Sequence, residues 1–419
     1  MSSSPPGPEA AAAPPPTGRL ALLRERPFLL LWLAGTSTSI VRWLEMLAIG
    51  VFVFDRTGSP FVVAGMTILR MVPLALFGVF SGAVAERFDR RRILLVGIAA
   101  MAVVSGVLAA LEIAGRLALW HVGLGAFLSG VFWVTDLPAR RSLMGEAAGA
   151  SRVGAAMSLD TVTSNGTRVL GPLLGGLLLQ VVGIDGAYLL GVVVYALSFA
   201  LLVPLRTAPE HASAPTGALL ASVVEGLRHV RSSRDLCGIL AVTVVFNIWG
   251  FPCTSMVPVI AREELGLPPF EVGVLASLDG AGALVGALLV MLLAPTRLYR
   301  RIYFGGVALY TAMFLLFAHA DGMIAAGAML AVGLGGAAFG SMQATLVFLN
   351  SPANVRQRML GVLSVCIGTG PIGFLALGLL ASWVGAPLAV SLFAVQGLVA
   401  LLVVRWIWPE VTAQQSVSP

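Results

Sequence analysis

Twelve apolar runs, each about 20 residues long and separated by short polar segments, constrain this chain more than any other feature. An α-helix of that length spans the hydrocarbon core of a bilayer. The sequence therefore predicts an all-α membrane protein with twelve transmembrane helices. The predicted helices are Phe28–Phe54, Phe61–Ala85, Ile93–Ala114, Leu117–Leu137, Val153–Val182, Ala187–Leu205, Leu236–Ile260, Phe270–Leu293, Ile302–His319, Met323–Leu349, Met359–Val384 and Pro387–Trp408.

Composition supports the membrane class. Of the 419 residues, 58% are hydrophobic and 11% are charged, and the mean hydropathy is +0.94, which is far from the balance of a soluble domain. The net charge of +6 does not indicate a nucleic-acid partner, because the arginines are distributed among short loops and do not cluster on one face.

The basic residues predict the orientation. Apart from four histidines they are all arginines, and twenty of the 26 lie at one set of alternating helix ends, called here the arginine-rich end. The opposite end carries Arg56, Arg116 and Arg262. By the positive-inside rule the arginine-rich end is cytoplasmic. Both termini are then predicted to be cytoplasmic, which requires an even number of helices.

Changes in composition divide the chain into five parts. Residues 1–18 are rich in Ser, Pro and Ala, and they predict a disordered tail, since no cationic start precedes an apolar core as in a signal peptide. The first six helices occupy 19–206, the last six occupy 235–408, and a C-terminal tail follows at 409–419. The linker at 207–234 has apolar residues at helical spacing, which predicts an amphipathic helix on the inner membrane surface or an ordinary linker.

The two groups of six helices show a faint internal repeat. Aligning Phe61 with Phe270, an offset of 209, places Arg70 opposite Asp279 without a gap. A parallel duplication, related by an axis along the membrane normal, produces such a repeat. The predicted architecture is therefore two pseudo-symmetric six-helix bundles.

The segment between the second and third predicted helices is unusually charged. It reads Gly-Ala-Val-Ala-Glu-Arg-Phe-Asp-Arg-Arg-Arg from Gly82 to Arg92 and is predicted to form a tight cytoplasmic turn. Acids and arginines fixed at helix ends can form ion pairs that hold one conformation closed and release it in another. We therefore predict a gate at this turn, formed by Gly82, Glu86, Arg87, Asp89, Arg90 and Arg91.

This segment resembles the signature loop of the major facilitator superfamily, whose pattern is Gly-x-x-x-Asp-Arg-x-Gly-Arg-Arg/Lys. Two positions depart from the pattern, since Glu86 stands at its first acid and Asp89 at its second glycine. A second stretch, Gly171-Pro172-Leu173-Leu174-Gly175-Gly176, is similar to the Gly-Pro-x-x-Gly-Gly motif of the superfamily's exporters. The resemblance covers essentially the whole chain, from about residue 19 to residue 408.

Within the superfamily the chain resembles the bacterial exporters of the enterobactin and macrolide efflux type. The stretches that carry this resemblance are Arg56-Thr57-Gly58-Ser59-Pro60, Asp136-Leu137-Pro138-Ala139-Arg140 and Arg356-Gln357-Arg358-Met359-Leu360-Gly361. The resemblance implies a secondary transporter of the bacterial cytoplasmic (inner) membrane that exports a drug-like molecule or natural product by proton antiport with alternating access, as in multidrug resistance. A dedicated siderophore or metabolite exporter, a lipid transporter and a non-transporting scaffold remain alternatives.

The motif in the fifth predicted helix has a physical basis. Pro172 removes a backbone donor, and Gly171, Gly175 and Gly176 remove side chains, so the helix can bend and approach a neighbour closely. We interpret the motif as a hinge or a leak seal at the interface between the halves. Close packing of small residues without a further role is the alternative.

Six charged residues fall well within the predicted helices, away from their ends, at roughly 2.5–3.5 kcal/mol each on insertion scales before compensation. Such residues pair or face water. Arg42, Glu45 and Arg70 have similar depth on the first two helices and are predicted to form one cluster. Arg168 and Asp279 lie near mid-depth on helices that meet across the halves in the superfamily, which predicts a second pair.

Glu45 is predicted to be the proton-coupling residue. It is the acid of the first half that lies near mid-membrane on a helix expected to line the cavity, and the two arginines of its cluster can compete with a proton for its carboxylate. Static ion pairs that fix helix packing are the alternative for both clusters. Asp160 is interpreted as structural, and Asp136 with Arg140 as a brace of the gate.

Two tryptophans are predicted to lie in mid-span. Trp43 and Trp249 are on the first and seventh helices, with Met46 and Asn247 close by in sequence. These helices line the central cavity in the superfamily, so the four residues are candidates to bind a large amphipathic or cationic ligand. Lipid-facing or core tryptophan is the alternative. The other six tryptophans, Trp133 among them, lie near predicted span ends, as in an interfacial belt.

The residue inventory argues against an enzyme. A chain without lysine has neither a P-loop of the Gly-Lys-Ser/Thr kind nor a Schiff-base lysine, which excludes an ATP-driven pump of that type. The four histidines are scattered, and Cys237, Cys253 and Cys366 show no Cys-x-x-Cys spacing. We therefore predict no metal and no cofactor. The predicted partners are a small-molecule substrate, protons and the lipid bilayer.

Overall fold

Every long element in the described part of the chain is a helix. The structure is a computed structural model that describes residues 19–87, 89–149, 152–205, 230, 233–352 and 355–413, with the backbone alone for 19–21, 78–87 and 356–357. The tail predicted at residues 1–18 and most of the linker, including its predicted amphipathic helix, lie outside the described residues.

The described residues form twelve long helical segments, and ten of them are long and apolar enough to cross a membrane. The other two, α5 and α9, carry charged residues within the helix or in its first turn. The segments are α1 Arg26–Thr57, α2 Pro60–Arg87, α3 Arg90–Ile113, α4 Leu119–Ala148, α5 Val153–Val181, α6 Ile184–Leu202, α7 Arg234–Glu263, α8 Pro269–Leu293, α9 Tyr299–Phe317, α10 Gly322–Leu349, α11 Arg356–Ile367 with Gly370–Val384, and α12 Ala386–Ile407.

One predicted boundary is wrong by several turns. The sequence predicts that the fourth helix ends at Leu137, but α4 continues through Pro138 to Ala148. Pro138 costs α4 one backbone hydrogen bond, which does not end the helix. Arg140 and Arg141, which follow it, form ion pairs with acids inside the bundle and therefore do not end the helix either. Trp133 therefore lies in mid-helix and is not part of an interfacial belt.

The centre of α7 departs from regular α-helix. Arg234–Val245 is α-helical, Phe246–Gly250 is a π-helical turn, Phe251–Met256 is 3₁₀, and Val257–Glu263 is α-helical again. Prolines at the second position of the last two pieces lack the backbone donor that a continuous α-helix needs there. Irregular turns of this kind often mark functional sites.

Most helix–helix contacts lie within the first six or within the last six helices. In the first six, α1 packs against α5 and α6, α2 against α4, and α3 against α4 and α6. In the last six, α8 and α9 pack against α10, and α9 and α11 pack against α12. Two seams join these groups, one between α5 and α8 and the other between α2 and α11.

The helix starts repeat at the offset found in the sequence. Helices α2 and α8 begin at Pro60 and Pro269, and α3 and α9 begin at Arg90 and Tyr299, so both pairs are 209 residues apart. After α12, a 3₁₀ turn at Pro409–Thr412 packs back on the bundle, since the side chain of Val411 is 2% exposed.

Candidate functional site

A central cavity lies between the two groups of helices, towards the end opposite the arginine-rich end. Helix α1 contributes Trp43 and Met46, α5 contributes Arg168 and Pro172, and α8 contributes Asp279. The rest of the lining consists of apolar side chains and three hydroxyl groups. The cavity is therefore apolar and aromatic around one pair of opposite charges.

That pair joins the two halves of the chain. Arg168 Nη2 lies 2.5 Å from Asp279 Oδ2, and the two side chains are 23% and 13% exposed. The Arg168 guanidinium also lies 5.2 Å from the centre of the Trp43 ring, which is cation–π geometry. The contact expected from the sequence is thus present in the structure.

The charge pair is only partly satisfied. Among the described residues, Arg168 Nε, Asp279 Oδ1 and Trp43 Nε1 have no hydrogen-bond partner, although all three atoms are buried. A buried polar atom without a partner costs about 1–3 kcal/mol. The site therefore has two donors and one acceptor that a bound molecule or a rearrangement of the pair can use.

A second cavity, called here the aromatic cavity, lies deeper towards the arginine-rich end. Its aromatic lining is Trp133, Phe246, Phe251, Phe339 and Phe374. The rings of Phe246 and Phe339 stack with centroids 3.8 Å apart, and Phe251 lines both cavities. The irregular middle of α7 thus supplies aromatic side chains to both spaces.

The four cavity candidates have three different locations. Trp43 and Met46 line the central cavity, and Asn247 lines the aromatic cavity. The Trp249 indole instead donates to Gln396 Oε1 of α12 at 3.1 Å, so this residue lies at the α7–α12 contact. The sequence analysis did not predict that Trp133 lines a cavity, because the predicted helix end at Leu137 placed this residue near the membrane surface.

The charges on α1 and α2 lie close together, but among the described residues no salt bridge joins Glu45 to either arginine. Arg70 Nη2 donates to the main-chain carbonyl of Arg42 at 3.1 Å, not to the carboxylate of Glu45. Arg42 donates to Ser39 Oγ at 3.3 Å, and its guanidinium lies 5.2 Å from the centre of the Trp133 ring. The Arg42 guanidinium therefore faces Trp133 of α4 and not the carboxylate of Glu45.

Glu45 points into the first six helices. Its side chain is 4% exposed, and Oε1 accepts a hydrogen bond from Ser105 Oγ of α3 at 3.4 Å. A Cβ atom added to Gly191 of α6 would lie 3.3 Å from the same oxygen. The carboxylate thus packs between α1, α3 and α6, and it is not among the lining residues of either cavity. Residues two apart on a helix, such as Trp43 and Glu45, face different directions, which explains the difference from the prediction.

The charged turn is shorter than the sequence suggests. Helix α2 extends to Arg87 and α3 begins at Arg90, so Gly82, Glu86 and Arg87 lie within α2, and their side chains are outside the described part. Asp89 is the N-cap of α3, where its carboxylate accepts from the backbone N–H groups of Arg91 at 2.9 Å and of Arg92 at 3.4 Å.

The two arginines after this cap bind the C-terminal ends of other helices in the first half. Arg90 forms an ion pair with Glu146 near the end of α4. Arg91 Nη2 donates to the carbonyl of Val203, just beyond α6. Carbonyls at a helix C-terminus lack intrahelical partners, so a guanidinium bound there both satisfies them and complements the helix dipole.

The second half repeats this arrangement at its own last helix. Arg300 Nη1 donates to the carbonyl of Glu410 at 2.9 Å, and Arg301 Nε donates to that of Thr412 at 3.2 Å. Arg300 also pairs with Asp235 at the start of α7, at 2.7 Å. In this conformation the described contacts of both turns lie within their own half.

The glycine motif allows α5 to pack closely against both α1 and α8. A Cβ atom at Gly171 would lie 2.3 Å from Trp43 Cβ, and one at Gly175 would lie 2.7 Å from the carbonyl oxygen of Leu44. One at Gly176 would lie 2.4 Å from the carbonyl oxygen of Pro269. Larger residues would force these backbones apart. Helix α5 continues without a break through Pro172.

A buried charge network joins α4 to α5 near the arginine-rich end. Arg140 lies 2.7 Å from Asp160 and 3.4 Å from Asp136, and Arg141 lies 2.9 Å from Asp160. Gly35 of α1 leaves the space for Arg140, because a Cβ atom there would lie 2.5 Å from the arginine side chain. Asp160 thus bridges two arginines away from the two cavities.

At the end opposite the arginine-rich end, an ion pair that the sequence analysis missed joins the two groups of helices. Arg262 at the end of α7 holds Asp55 at the end of α1 through two hydrogen bonds of 2.8 and 3.1 Å. Arg262 also donates to the carbonyl of Leu267 at 2.8 Å. The sequence did contain a signal for this pair, because Asp55 lies at the end of the first helix of the first half and Arg262 at the equivalent end of the first helix of the second half.

At the arginine-rich end the two halves separate along one seam. Helices α5 and α8 touch near Gly176 and Gly273, where a Cβ added to Gly273 would lie 2.5 Å from the carbonyl of Pro172. Closer to the arginine-rich end, a crevice lies between them. The two halves are thus in close contact along this seam near Gly176 and are separated by the crevice nearer the arginine-rich end.

Comparisons with known proteins agree with this arrangement. The family model described as "Transmembrane secretion effector" matches residues 17–418. The MFS-type transporter YfiS of Bacillus subtilis (strain 168) is 27% identical over 388 residues, which covers 88% of this chain and 90% of YfiS.

Solved transporter structures share the fold. A point mutant of the nucleoside transporter NupG superposes with a TM-score of 0.75 at 10% identity, covering 91% of this chain and 99% of that one. A D-xylose-proton symporter superposes with a TM-score of 0.70 at 14% identity, covering 94% and 99%. At such low identities these structures inform on the fold alone.

Proposed function

Because this chain belongs to the transmembrane secretion effector family of MFS-type transporters, we propose that it exports a small organic molecule across the bacterial cytoplasmic membrane in exchange for protons. The observation that carries the proposal is the central cavity, which is apolar, lies between the two groups of helices and contains the partly satisfied Arg168–Asp279 pair.

The proposed orientation follows from the arginines. With the arginine-rich end in the cytoplasm, both termini are cytoplasmic, and the Asp55–Arg262 pair closes the outer face. The repeated 209-residue offset of helix starts supports two pseudo-symmetric six-helix bundles that move against each other. The conformation described is then inward-facing, and export requires that the Asp55–Arg262 pair open.

The cavity favours an amphipathic substrate. Small-molecule sites combine an apolar lining with a few polar groups, and the central cavity has both. Asp279 Oδ1 can accept from a donor or cationic group of the substrate, and Trp43 Nε1 can donate to an acceptor. A drug-like molecule or natural product with both kinds of group fits these requirements.

We assign proton coupling to Glu45. Among the described residues this buried acid has no salt bridge to an arginine, and it is close enough to Arg70 for their opposite charges to attract. Protonation of Glu45 removes that attraction and changes the forces between α1 and α2, the helices that carry Trp43 and Arg70. Since Glu45 packs against α3 and α6, coupling acts through helix movement and not through contact with the substrate.

Transport by purified protein in liposomes tests the proposal. The protein is reconstituted with and without an imposed pH gradient and supplied with a panel of drugs and siderophores, while a pH-sensitive dye reports the lumen. We expect uphill movement of at least one compound that depends on the gradient and is matched by proton movement in the opposite direction. Protein-free liposomes are the control.

Two results contradict parts of the proposal. Flux that is indifferent to the gradient and moves no protons rules out proton antiport. If no compound moves although the protein is folded and correctly inserted, the alternative of a non-transporting scaffold gains support.

A further inference from the structure

Glu45 stands at one end of a line of polar groups along the contact between α3 and α6. Ser105 of α3 donates to Glu45 Oε1, and Glu112 lies seven residues further along the same helix. Residues seven apart share one face of an α-helix and are separated by about two turns, or about 10 Å. This face of α3 therefore leads from Glu45 to the outer end of the bundle, opposite the arginine-rich end.

Tyr188 of α6 lies at a level between the two acids. It is one turn nearer the outer end than Gly191, where an added Cβ atom would lie 3.2 Å from Ser105 Oγ and 3.3 Å from Glu45 Oε1. Tyr188 is 1% exposed, and its phenol is close enough to Glu45 and Glu112 for both carboxylates to act on it electrostatically.

Small side chains on the neighbouring helices leave space at this level. Ala48 lies about one turn beyond Glu45 on α1, and Ala109 lies about one turn beyond Ser105 on α3. Both alanines are buried. Because their methyl groups occupy little volume, the Tyr188 ring can lie between α1 and α3.

Two polar atoms of this line are buried without a partner. Among the described residues, the Tyr188 hydroxyl and Glu112 Oε2 have no hydrogen-bond partner. Glu112 Oε1 instead accepts from Arg56 Nη2 at 3.2 Å, and the Arg56 side chain is 53% exposed. A buried polar atom without a partner destabilises a folded protein, so phenylalanine would serve better than Tyr188 if the ring only filled space.

Glu45 has charged and titratable neighbours on other sides as well. Arg70 of α2 attracts the carboxylate, and Tyr195 of α6, one turn from Gly191 towards the arginine-rich end, is close enough for Glu45 to act on it. In the described part of the chain, Arg70, Tyr188 and Tyr195 are the groups of this kind around Glu45. Neither cavity has Glu45 in its lining, so a proton needs another route to it.

We propose that Glu112 and Tyr188 form a proton relay from the outer surface to Glu45, separate from the path of the transported molecule. Water at the outer surface protonates Glu112. The proton then passes to the Tyr188 oxygen as the hydroxyl proton of Tyr188 passes to the Glu45 carboxylate. Tyr188 thus stays neutral, and Glu112 returns to its ion pair with Arg56. A water molecule between any two of these groups extends the relay without changing this balance. The inference rests on the proposed exchange of the transported molecule for protons.

The first experiment needs no transported molecule. Purified full-length protein is given a rapid drop in pH, and time-resolved infrared spectroscopy follows the C=O stretching band of protonated carboxyl groups. The part of the band that Glu45→Gln removes reports protonation of Glu45. Tyr188→Phe should slow its appearance about a hundredfold, the lower end of what a positioned proton-transfer group contributes. Since the lost hydroxyl has no partner among the described residues, this variant should fold as the wild-type protein does.

Tyr195→Phe is the matched control. It removes a hydroxyl group from another buried tyrosine of α6, on the opposite side of Glu45, and it should leave the rate of Glu45 protonation unchanged. A rate in Tyr188→Phe that is no slower than the rate in Tyr195→Phe overturns the proposal, because protons would then reach Glu45 by another route.

The surface end of the relay has its own pair of variants. Glu112→Gln and Arg56→Gln both break the same ion pair, but only Glu112→Gln removes the carboxylate. Glu112→Gln should slow protonation of Glu45, and Arg56→Gln should not. Equal rates in these two variants overturn the role assigned to Glu112.

The second experiment separates the relay from the export function. In liposomes, Tyr188→Phe should slow gradient-driven uphill export about tenfold or more and leave downhill counterflow, which moves no net protons, within about twofold. Equal loss of both activities indicates general damage and overturns the proposal. If the wild-type protein moves no compound, the export function fails and the infrared result alone decides whether the relay exists. If Glu45→Gln removes no part of the infrared band, Glu45 takes up no proton, and the relay is overturned together with the coupling role of Glu45.

Discussion

Replacing both partners of the Arg168–Asp279 pair should lower the free energy of unfolding by less than the sum of the losses caused by the two single replacements. Removing one partner leaves the other charge uncompensated in an apolar site, which typically costs 3–5 kcal/mol. The two side chains retain 23% and 13% exposure, so we expect about 3 kcal/mol, the lower end of that range, for Arg168→Gln or Asp279→Asn. The double variant should also cost about 3 kcal/mol, which gives a coupling free energy of about 3 kcal/mol.

The measurement is a double-mutant cycle on purified protein in one detergent. Reversible denaturant unfolding gives the free energy of unfolding for the wild-type protein, both single variants and the double variant. The matched control is the cycle for Arg56 and Glu112, which lie 3.2 Å apart with side chains 53% and 20% exposed. An exposed pair of this kind should show a coupling below about 1 kcal/mol.

Additive losses for Arg168 and Asp279 would refute the reasoning. Additivity within about 0.5 kcal/mol is the behaviour of residues that do not interact. The seam between α5 and α8 would then depend on its glycine contacts and not on this pair. A coupling no larger than that of the control pair would lead to the same conclusion.

Three further predictions concern the ends of the bundle and the coupling residue. Asp89→Asn keeps the side-chain oxygen that caps α3 and removes the negative charge. We therefore expect transport into liposomes to be several-fold slower while the abundance of the protein in the membrane is unchanged. Normal transport would show that Asp89 is a helix cap without a role in gating. Glu45→Gln keeps the size of the side chain, and it should abolish gradient-driven uphill export while retaining downhill counterflow; full uphill transport would eliminate Glu45 as the coupling site. Neutralising Asp55 or Arg262 should destabilise the conformation with a closed outer end by up to about 1 kcal/mol, which lowers its population relative to the open one about fivefold. The measurement is the labelling rate of a cysteine placed in the central cavity, which should rise. Exchanging the two charges should restore the wild-type rate, and failure to do so would show that the pair has no part in closure.

The sequence predicted the number and position of the helices because bilayer thickness dictates their length. The charges within them also carried information, since an arginine and an acid at similar depth must find partners or water in a membrane. Arg168 and Asp279 could be paired in advance for this reason, with the seam between their helices supplied by the family resemblance. Pro138 was misleading, because a proline followed by arginines usually ends a span, and only the partners of Arg140 in the folded bundle explain why α4 continues.

The directions in which side chains point were decided by the tertiary structure. In water, an apolar stripe on a helix shows which face is buried, but lipid tails are as apolar as the interior of a membrane protein, so the faces of these helices carry no such contrast. The sequence therefore determined that Trp43 and Glu45 share one membrane helix. Only the packing of α1 against α3, α5 and α6 decided that the tryptophan lines the central cavity while the carboxylate contacts Ser105.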